Sequence, residues 1–292
     1  MNTDILQMNI TEILPQRSLI SHKGTYGRLM CVTGSAFYRG ASVLSSSAAL
    51  KSGAGVVCIA SVEEAVSAAI NYDPSMTCLP LEKNMSGCIA MGNWEKIINS
   101  SKDTKALLLG CGLGGDNDIK ILVKEIVEKY EKTLILDADA LNFIAQIGPD
   151  ILKNTVSTAI VTPHVGELAR LTGTTTEAVA ENLEECAKTF SLAYSCITVL
   201  KSYKTVISDK NGELYILDKA NPALATAGSG DVLAGLIAGL SVQGISPIHS
   251  AILGVYIHSL AGENAAKKYS IYSTTAKNIL EEIPDVFLSL NR

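Results

Sequence analysis

Six short apolar runs, continuous rather than alternating, restrict what this 292-residue chain can fold into. They lie at residues 29–32, 56–59, 106–109, 133–136, 159–162 and 197–200 and are rich in Val, Ile and Leu. A strand with one wet face alternates apolar and polar residues. A strand covered on both faces reads as an unbroken apolar run. Helical patterns at 41–52, 118–132 and 176–194 fall between the runs. In the second of them Ile119, Leu122, Val123, Ile126 and Val127 recur at helical spacing. Such alternation predicts an α/β fold, a mostly parallel sheet with helices on both faces. After residue 200 the pattern changes. Residues 204–208 and 213–217 read as two short strands joined around Asn211-Gly212, a strong hairpin signal. Three long helical stretches follow, at 230–242, 247–268 and 273–290. No linker or repeat interrupts the chain, so one domain over residues 1–292 is expected.

Composition removes several classes of function. Charged residues make up 18% and mean hydropathy is +0.25, which excludes a disordered chain. A net charge of −5 offers no basic face, so nucleic acid is not an expected partner. The longest apolar runs fall short of the roughly 18 residues a membrane span needs. The first ten residues lack the basic and apolar regions of a secretory signal. Cysteines number seven, an odd count, with no CxxC spacing. They read as reduced core thiols of a cytoplasmic protein rather than as zinc ligands.

The polar and glycine-rich segments fall where the strands end, which is where open α/β sheets bind ligands. The first run leads into Thr33-Gly34-Ser35 and then Arg39-Gly40-Ala41. The third leads into Gly110-Cys111-Gly112-Leu113-Gly114-Gly115. The fourth ends in Asp137-Ala138-Asp139 and the fifth in Pro163-His164-Val165-Gly166-Glu167. The most specific signal is Thr226-Ala227-Gly228-Ser229-Gly230-Asp231 before an apolar helix. Glycines let several backbone N–H groups converge on one anion, and the helix start adds a positive dipole end. Asp231 in the first turn is placed to take a proton from a hydroxyl attacking phosphorus, or simply to cap the helix. No Lys follows the glycines, so this is not a P-loop.

The segment from Thr226 to Asp231 resembles the anion-hole and catalytic-base motif of ribokinase-like kinases. His22 to Gly27, Gly40-Ala41, Gly110 to Gly114, Asp137 to Asn142, Pro163 to Glu167, Lys201-Ser202 and Asn221-Pro222 occur in the order of one branch of that superfamily. Together they resemble the ADP/ATP-dependent NAD(P)H-hydrate dehydratases over roughly residues 24–268. The resemblance implies a three-layer α/β/α fold with a small hairpin near the nucleotide. It implies removal of water from the S epimer of hydrated NADH or NADPH, with ADP or ATP as co-substrate and Mg²⁺. The route is phosphorylation of the 6-hydroxyl, then loss of phosphate.

By the same resemblance Asp231 is the base, and Gly228, Ser229 and Gly230 supply N–H donors to the transferring phosphoryl group. Ala41, Gly114, His164 and Asp231 contact the hydrated dinucleotide. Lys201, Ser202, Tyr203, Lys204 and Thr205 border the nucleotide together with Gly230, and Glu167 organises Mg²⁺ through water. The chain departs from the family at Ala227 and Ser202, where Gly is usual, and at Ser229, where Thr is usual. Tyr203 either stacks on the base or covers the hairpin. Asp137 and Asp139 are a further carboxylate pair, facing the site or capping a helix. The resemblance also implies a homotetramer and a separate epimerase. A small-alcohol kinase of the same fold, such as a hydroxyethylthiazole kinase, is the alternative; a silent nucleotide-binding regulator would not need Asp231.

Overall fold

The structure is a computed structural model and describes residues 2–291. Its strands are β1 (Asn2–Asp4), β2 (Arg28–Val32), β3 (Val56–Ser61), β4 (Thr77–Pro80), β5 (Ala106–Leu109), β6 (Thr133–Leu136), β7 (Ala159–Val161), β8 (Ile197–Lys201), β9 (Thr205–Ser208) and β10 (Leu214–Leu217). They form one sheet in the order β1-β10-β9-β8-β7-β6-β5-β2-β3-β4. Strand β9 alone runs against its neighbours, pairing antiparallel with both β8 and β10.

The helices are α1 (Ile10–Ile13), α2 (Arg39–Lys51), α3 (Glu63–Tyr72), α4 (Trp94–Ser100), α5 (Asn117–Lys129), α6 (Asp139–Ile147), α7 (Val165–Thr172), α8 (Thr176–Glu181), α9 (Leu183–Tyr194), α10 (Ser229–Ser241), α11 (Pro247–Ser273) and α12 (Ala276–Ser289). All six apolar runs are strands, and their continuity has the expected cause. In β2, Leu29 and Cys31 enter one core while Met30 and Val32 enter the other. In β5, Ala106 and Leu108 part from Leu107 and Leu109 in the same way. Helices α2, α10, α11 and α12 close the first core; α4 to α9 close the second.

Some expectations need correcting. The stretch 176–194 is two helices, α8 and α9, broken at Asn182 with φ −136° and ψ 50°. Strands β1 and β4 were not expected. Both are short edge strands with little apolar sequence, and β4 is mostly exposed. Cysteines 31, 88, 111 and 196 are buried, but Cys78 is exposed on β4, and all seven are free. Among the described residues no helix is long and apolar enough to cross a membrane.

The topology fixes where ligands can sit. The chain passes from β2 outward through β3 to β4, then returns to β5 on the other side of β2 and continues to β8. A crevice opens beyond the carboxyl ends at such a reversal. Its floor is tied by the Gly34 N–H, which donates to Cys111 O at 2.7 Å. Helix α10 packs closely on α2, where a Cβ on Gly235 would stand 2.1 Å from Ser45 O. Only glycine allows that approach.

Candidate active site

Gly228 caps α10 with φ 86°, and a Cβ there would stand 2.5 Å from Leu44 Cδ1. The turn therefore demands glycine in both conformation and space. The N–H groups of Gly228, Gly230 and Asp231 make no hydrogen bond among the described residues. Three unpaired donors at the positive end of a 13-residue helix make an anion cradle. Ser229 departs from expectation. Its N–H turns back to Thr226 O at 3.2 Å and so is not a free donor. Its hydroxyl pairs with His258 Nε2 at 3.1 Å. Burial lowers the His258 pKa to about 4, which keeps that imidazole neutral.

Asp231 lies in the first turn of α10. Burial, then the negative charge of Asp137, pushes its carboxyl up to about 7. A carboxyl balanced near neutrality can both hold and release a proton under working conditions. Asp137 Oδ1 accepts from Thr162 Oγ1 at 2.6 Å and from Lys201 Nζ at 2.8 Å. Burial opposes the Lys201 charge, but Asp137 and Glu167 outweigh it and hold the ammonium above the ordinary lysine range. A Cβ on Gly230 would lie 3.4 Å from Lys201 Nζ, so this cation stands beside the cradle. Chain reversal at Ala138, with φ 49°, sends Asp137 and Asp139 to different places. Such a backbone is rare for a residue with a Cβ and marks stored strain.

Two cavities open at this edge of the sheet, and Gly230 of the cradle lines the first. The first and larger, of about 670 Å³, is lined by Lys201, Ser202, Tyr203, Thr205, Ser229 and Gly230 and by residues of the 219–226 loop and α11. The smaller, about 330 Å³, is lined by Gly114, Asp139 and Asn142. The Gly114 N–H donates to Asp139 Oδ2 at 3.0 Å. Ala41 lies in the first turn of α2, against Gly112.

His164 caps α7. Its Nδ1 accepts from the Gly166 and Glu167 N–H groups, and Glu167 Oε2 accepts from the His164 N–H at 2.8 Å. Burial, Lys201 and Arg170 depress the His164 pKa. Burial lifts the Glu167 carboxyl to about 7.

The expected dinucleotide contacts do not share one cavity, because His164 lines the larger with Lys201 and Gly114 lines the smaller. Among the expected nucleotide residues, the Lys204 side chain turns away from the cavity. It pairs with Glu184 at 2.5 Å and does not line the cavity. Tyr203 lines the cavity while remaining 62% exposed.

Two further groups line this cavity: Asn221, noted in the sequence only as part of the Asn221-Pro222 motif and given no role, and Ser259, which sequence reasoning missed. Asn221 Nδ2 and Ser259 Oγ are buried without a hydrogen-bond partner, and both residues line the larger cavity. Asn221 stands in an Asn-Pro step that could have flagged a role, whereas Ser259 is one small residue within an apolar helix. Unpaired buried polar atoms are costly, and these two are on residues that line the cavity.

The doubly wound sheet, the hairpin at β9–β10 and the anion cradle on α10 define a ribokinase-like α/β protein. A profile described as NAD(P)H-hydrate dehydratase matches residues 29–285, and the chain belongs to that family. It is 37% identical over 279 residues to the bifunctional NAD(P)H-hydrate repair enzyme of Moorella thermoacetica, covering 95% of this chain and 52% of that one. The chain thus spans about half the length of such bifunctional relatives. It is 33% identical over 258 residues to the ADP-dependent (S)-NAD(P)H-hydrate dehydratase of Neisseria meningitidis, covering 88% of this chain and 83% of the relative. The ADP/ATP-dependent NAD(P)H-hydrate dehydratase of Bacillus subtilis, co-crystallised with ATP/Mg²⁺, superposes with a TM-score of 0.83 at 27% identity over 96% of both chains. A hydroxyethylthiazole kinase from Pyrococcus horikoshii, at 13% identity and a TM-score of 0.61, shares the fold alone.

Proposed function

We propose that this protein restores hydrated NADH or NADPH, in the S configuration, by nucleotide-dependent dehydration. The observation that carries the reading is the free N–H cradle of Gly228, Gly230 and Asp231, with the Asp231 carboxylate in the same turn and Gly230 lining the larger cavity. The larger cavity suits a nucleotide. The smaller, lined by Gly114 and Asp139, suits the hydrated ring.

Hydroxide is a poor leaving group and phosphate a good one. Asp231 takes the proton of the 6-hydroxyl as that oxygen attacks the terminal phosphorus of ADP or ATP, releasing AMP or ADP. The cradle N–H groups and Lys201 hold the charge on the transferring oxygens; in related anion holes one donor is worth about 3–4 kcal/mol. The ring nitrogen lone pair then expels phosphate from C6. Loss of a proton from C5 regenerates the dihydronicotinamide.

Glu167 is the residue suited to Mg²⁺. It is a buried carboxylate lifted to about 7 with one oxygen committed to His164, and a nearby divalent cation held through water would offset its burial. When bound, Mg²⁺ would neutralise phosphate charge. His164, beside Lys201 at the boundary of the larger cavity, would meet the hydrated dinucleotide from that side.

A homo-oligomer, a tetramer by family resemblance, is the proposed working form. It would act in the cytoplasm. The test is acid-generated hydrated NADH with Mg²⁺ and ADP or ATP in parallel arms. Recovered absorbance in the reduced-nicotinamide band that depends on nucleotide supports the reading, and the faster arm names the donor. No recovery with either nucleotide defeats it.

A further inference from the structure

Cys111 sits at the carboxyl end of β5 between Gly110 and Gly112, whose φ values are 132° and 65°. A Cβ on Gly110 would fall 1.8 Å from Asp137 O, so the backbone just before Cys111 runs tightly against that of Asp137. The side chain is fully buried and aimed at the carboxylates of the reaction centre. Its Sγ donates to Asp137 Oδ2 at 3.6 Å, and it shares a 4.8 Å cluster with a carboxylate oxygen of Asp231.

The two acceptors differ in their need for that thiol. Asp137 already receives Lys201 and Thr162 on its other oxygen. Asp231 has no such ties among the described residues, and the Cys111 thiol lies within 4.8 Å of one of its oxygens. We propose that Cys111 is a positioning residue for Asp231, its one thiol hydrogen bond directed to Asp231 while that carboxylate is ionised and to Asp137 once Asp231 has taken the substrate's proton. The role rests on reading Asp231 as the base.

No covalent bond changes at sulfur. The S–H rotates about Cβ–Sγ and keeps its proton, because burial and the flanking carboxylates hold the thiol well above its ordinary range. The groups facing Asp231 are Asp137 and Asp139, which oppose its ionisation, and Lys201 and Cys111, which favour it. A donor that follows the charge keeps the ionised carboxylate aimed at the substrate and weakens its hold once the proton has moved.

Cys111→Ala and Cys111→Ser are compared with wild type by kcat and kcat/KM for dehydration of hydrated NADH across pH. Removing a donor to the ionised form should move the acid limb of kcat/KM upward by about 0.5–1 pH unit in the Ala variant. Serine keeps a donor and should restore most of that shift. An acid limb in Cys111→Ala that stays at the wild-type pH overturns the proposal. So does a Ser variant displaced as far as Ala.

An infrared difference between wild type and Cys111→Ser isolates the Cys111 S–H stretch and needs no turnover. The band should move as pH crosses the acid limb in wild type and stay fixed in Asp231→Asn. A fixed band in wild type, with Asp231→Asn inactive, rejects the role of the thiol alone. Near-normal turnover by Asp231→Asn rejects the base reading itself, and the role of Cys111 with it.

Discussion

Lys201 Nζ lies 2.8 Å from Asp137 Oδ1, and these residues are 64 positions apart in the chain. One ends the strand that opens the larger cavity; the other follows the strand beside the smaller. Asp137 is 2% exposed, so without its cation it would be a buried, partly paired charge.

Lys201→Met should therefore cost about 3 kcal/mol of stability, the lower end for breaking a buried pair because Lys201 is partly exposed. Urea unfolding at pH 7 measures it. Adding Asp137→Asn should recover part of the loss, since the orphaned charge is gone. A double variant no more stable than Lys201→Met would contradict the pairing.

Asp231→Asn should bind nucleotide yet lose turnover by about 10³-fold or more. Its stability should move the other way. The folded-state pKa of about 7 lies above the ordinary carboxylate value. The folded chain thus holds a proton that the unfolded chain releases, and wild-type stability falls as pH rises from about 4 to 7. The melting temperature of Asp231→Asn should exceed that of wild type most at pH 8, and the gap should close toward pH 4. A gap constant across pH would refute the raised pKa.

His164→Ala removes the acceptor for two N–H groups at the start of α7. It should cost about 1 kcal/mol of stability through the lost cap. Its larger effect should be a raised KM for the hydrated dinucleotide, with smaller change in KM for ADP. Loss of ADP binding alone would reverse the assignment of sides in the crevice.

Ser259→Ala removes a polar atom that has no protein partner, whereas Asn221→Leu removes such an atom, Nδ2, together with the Oδ1 that accepts from the Ala223 N–H. Each should raise KM for the nucleotide by about three- to tenfold, the worth of one hydrogen bond, and leave KM for the hydrated dinucleotide little changed. For Ser259→Ala the melting temperature should rise or hold in the absence of nucleotide, because an unsatisfied buried group has been taken away; Asn221→Leu should lose some stability through the cap on Ala223. A fall in both nucleotide affinity and unliganded stability in Ser259→Ala would make that residue structural.

Much of this was legible in the sequence because the sheet interior leaves so little choice. Leu107 and Leu109 face one core and Ala106 and Leu108 the other, so the run could only be a covered strand. The Gly228 turn was legible for a similar reason, since only glycine fits against Leu44. What escaped depends on pairing across the chain. Nothing local to Lys201 says that its partner is Asp137 or that its neighbour Lys204 turns away to Glu184. The break at Asn182 escaped because apolar spacing runs through both α8 and α9. Ser229 was misjudged as a donor because the direction of its N–H is set by a local turn to Thr226.

The reversal of strand order between β2 and β5 bears on how the molecule assembles. The β8–β9–β10 meander is built from neighbours in sequence and can form early. Strand β2 instead waits for β5, which is made after two further strands, and the cradle on α10 comes later still. Contacts that close long loops form slowly. During refolding from urea, far-ultraviolet ellipticity should recover before turnover does, which makes the reaction centre among the last parts of the protein to mature.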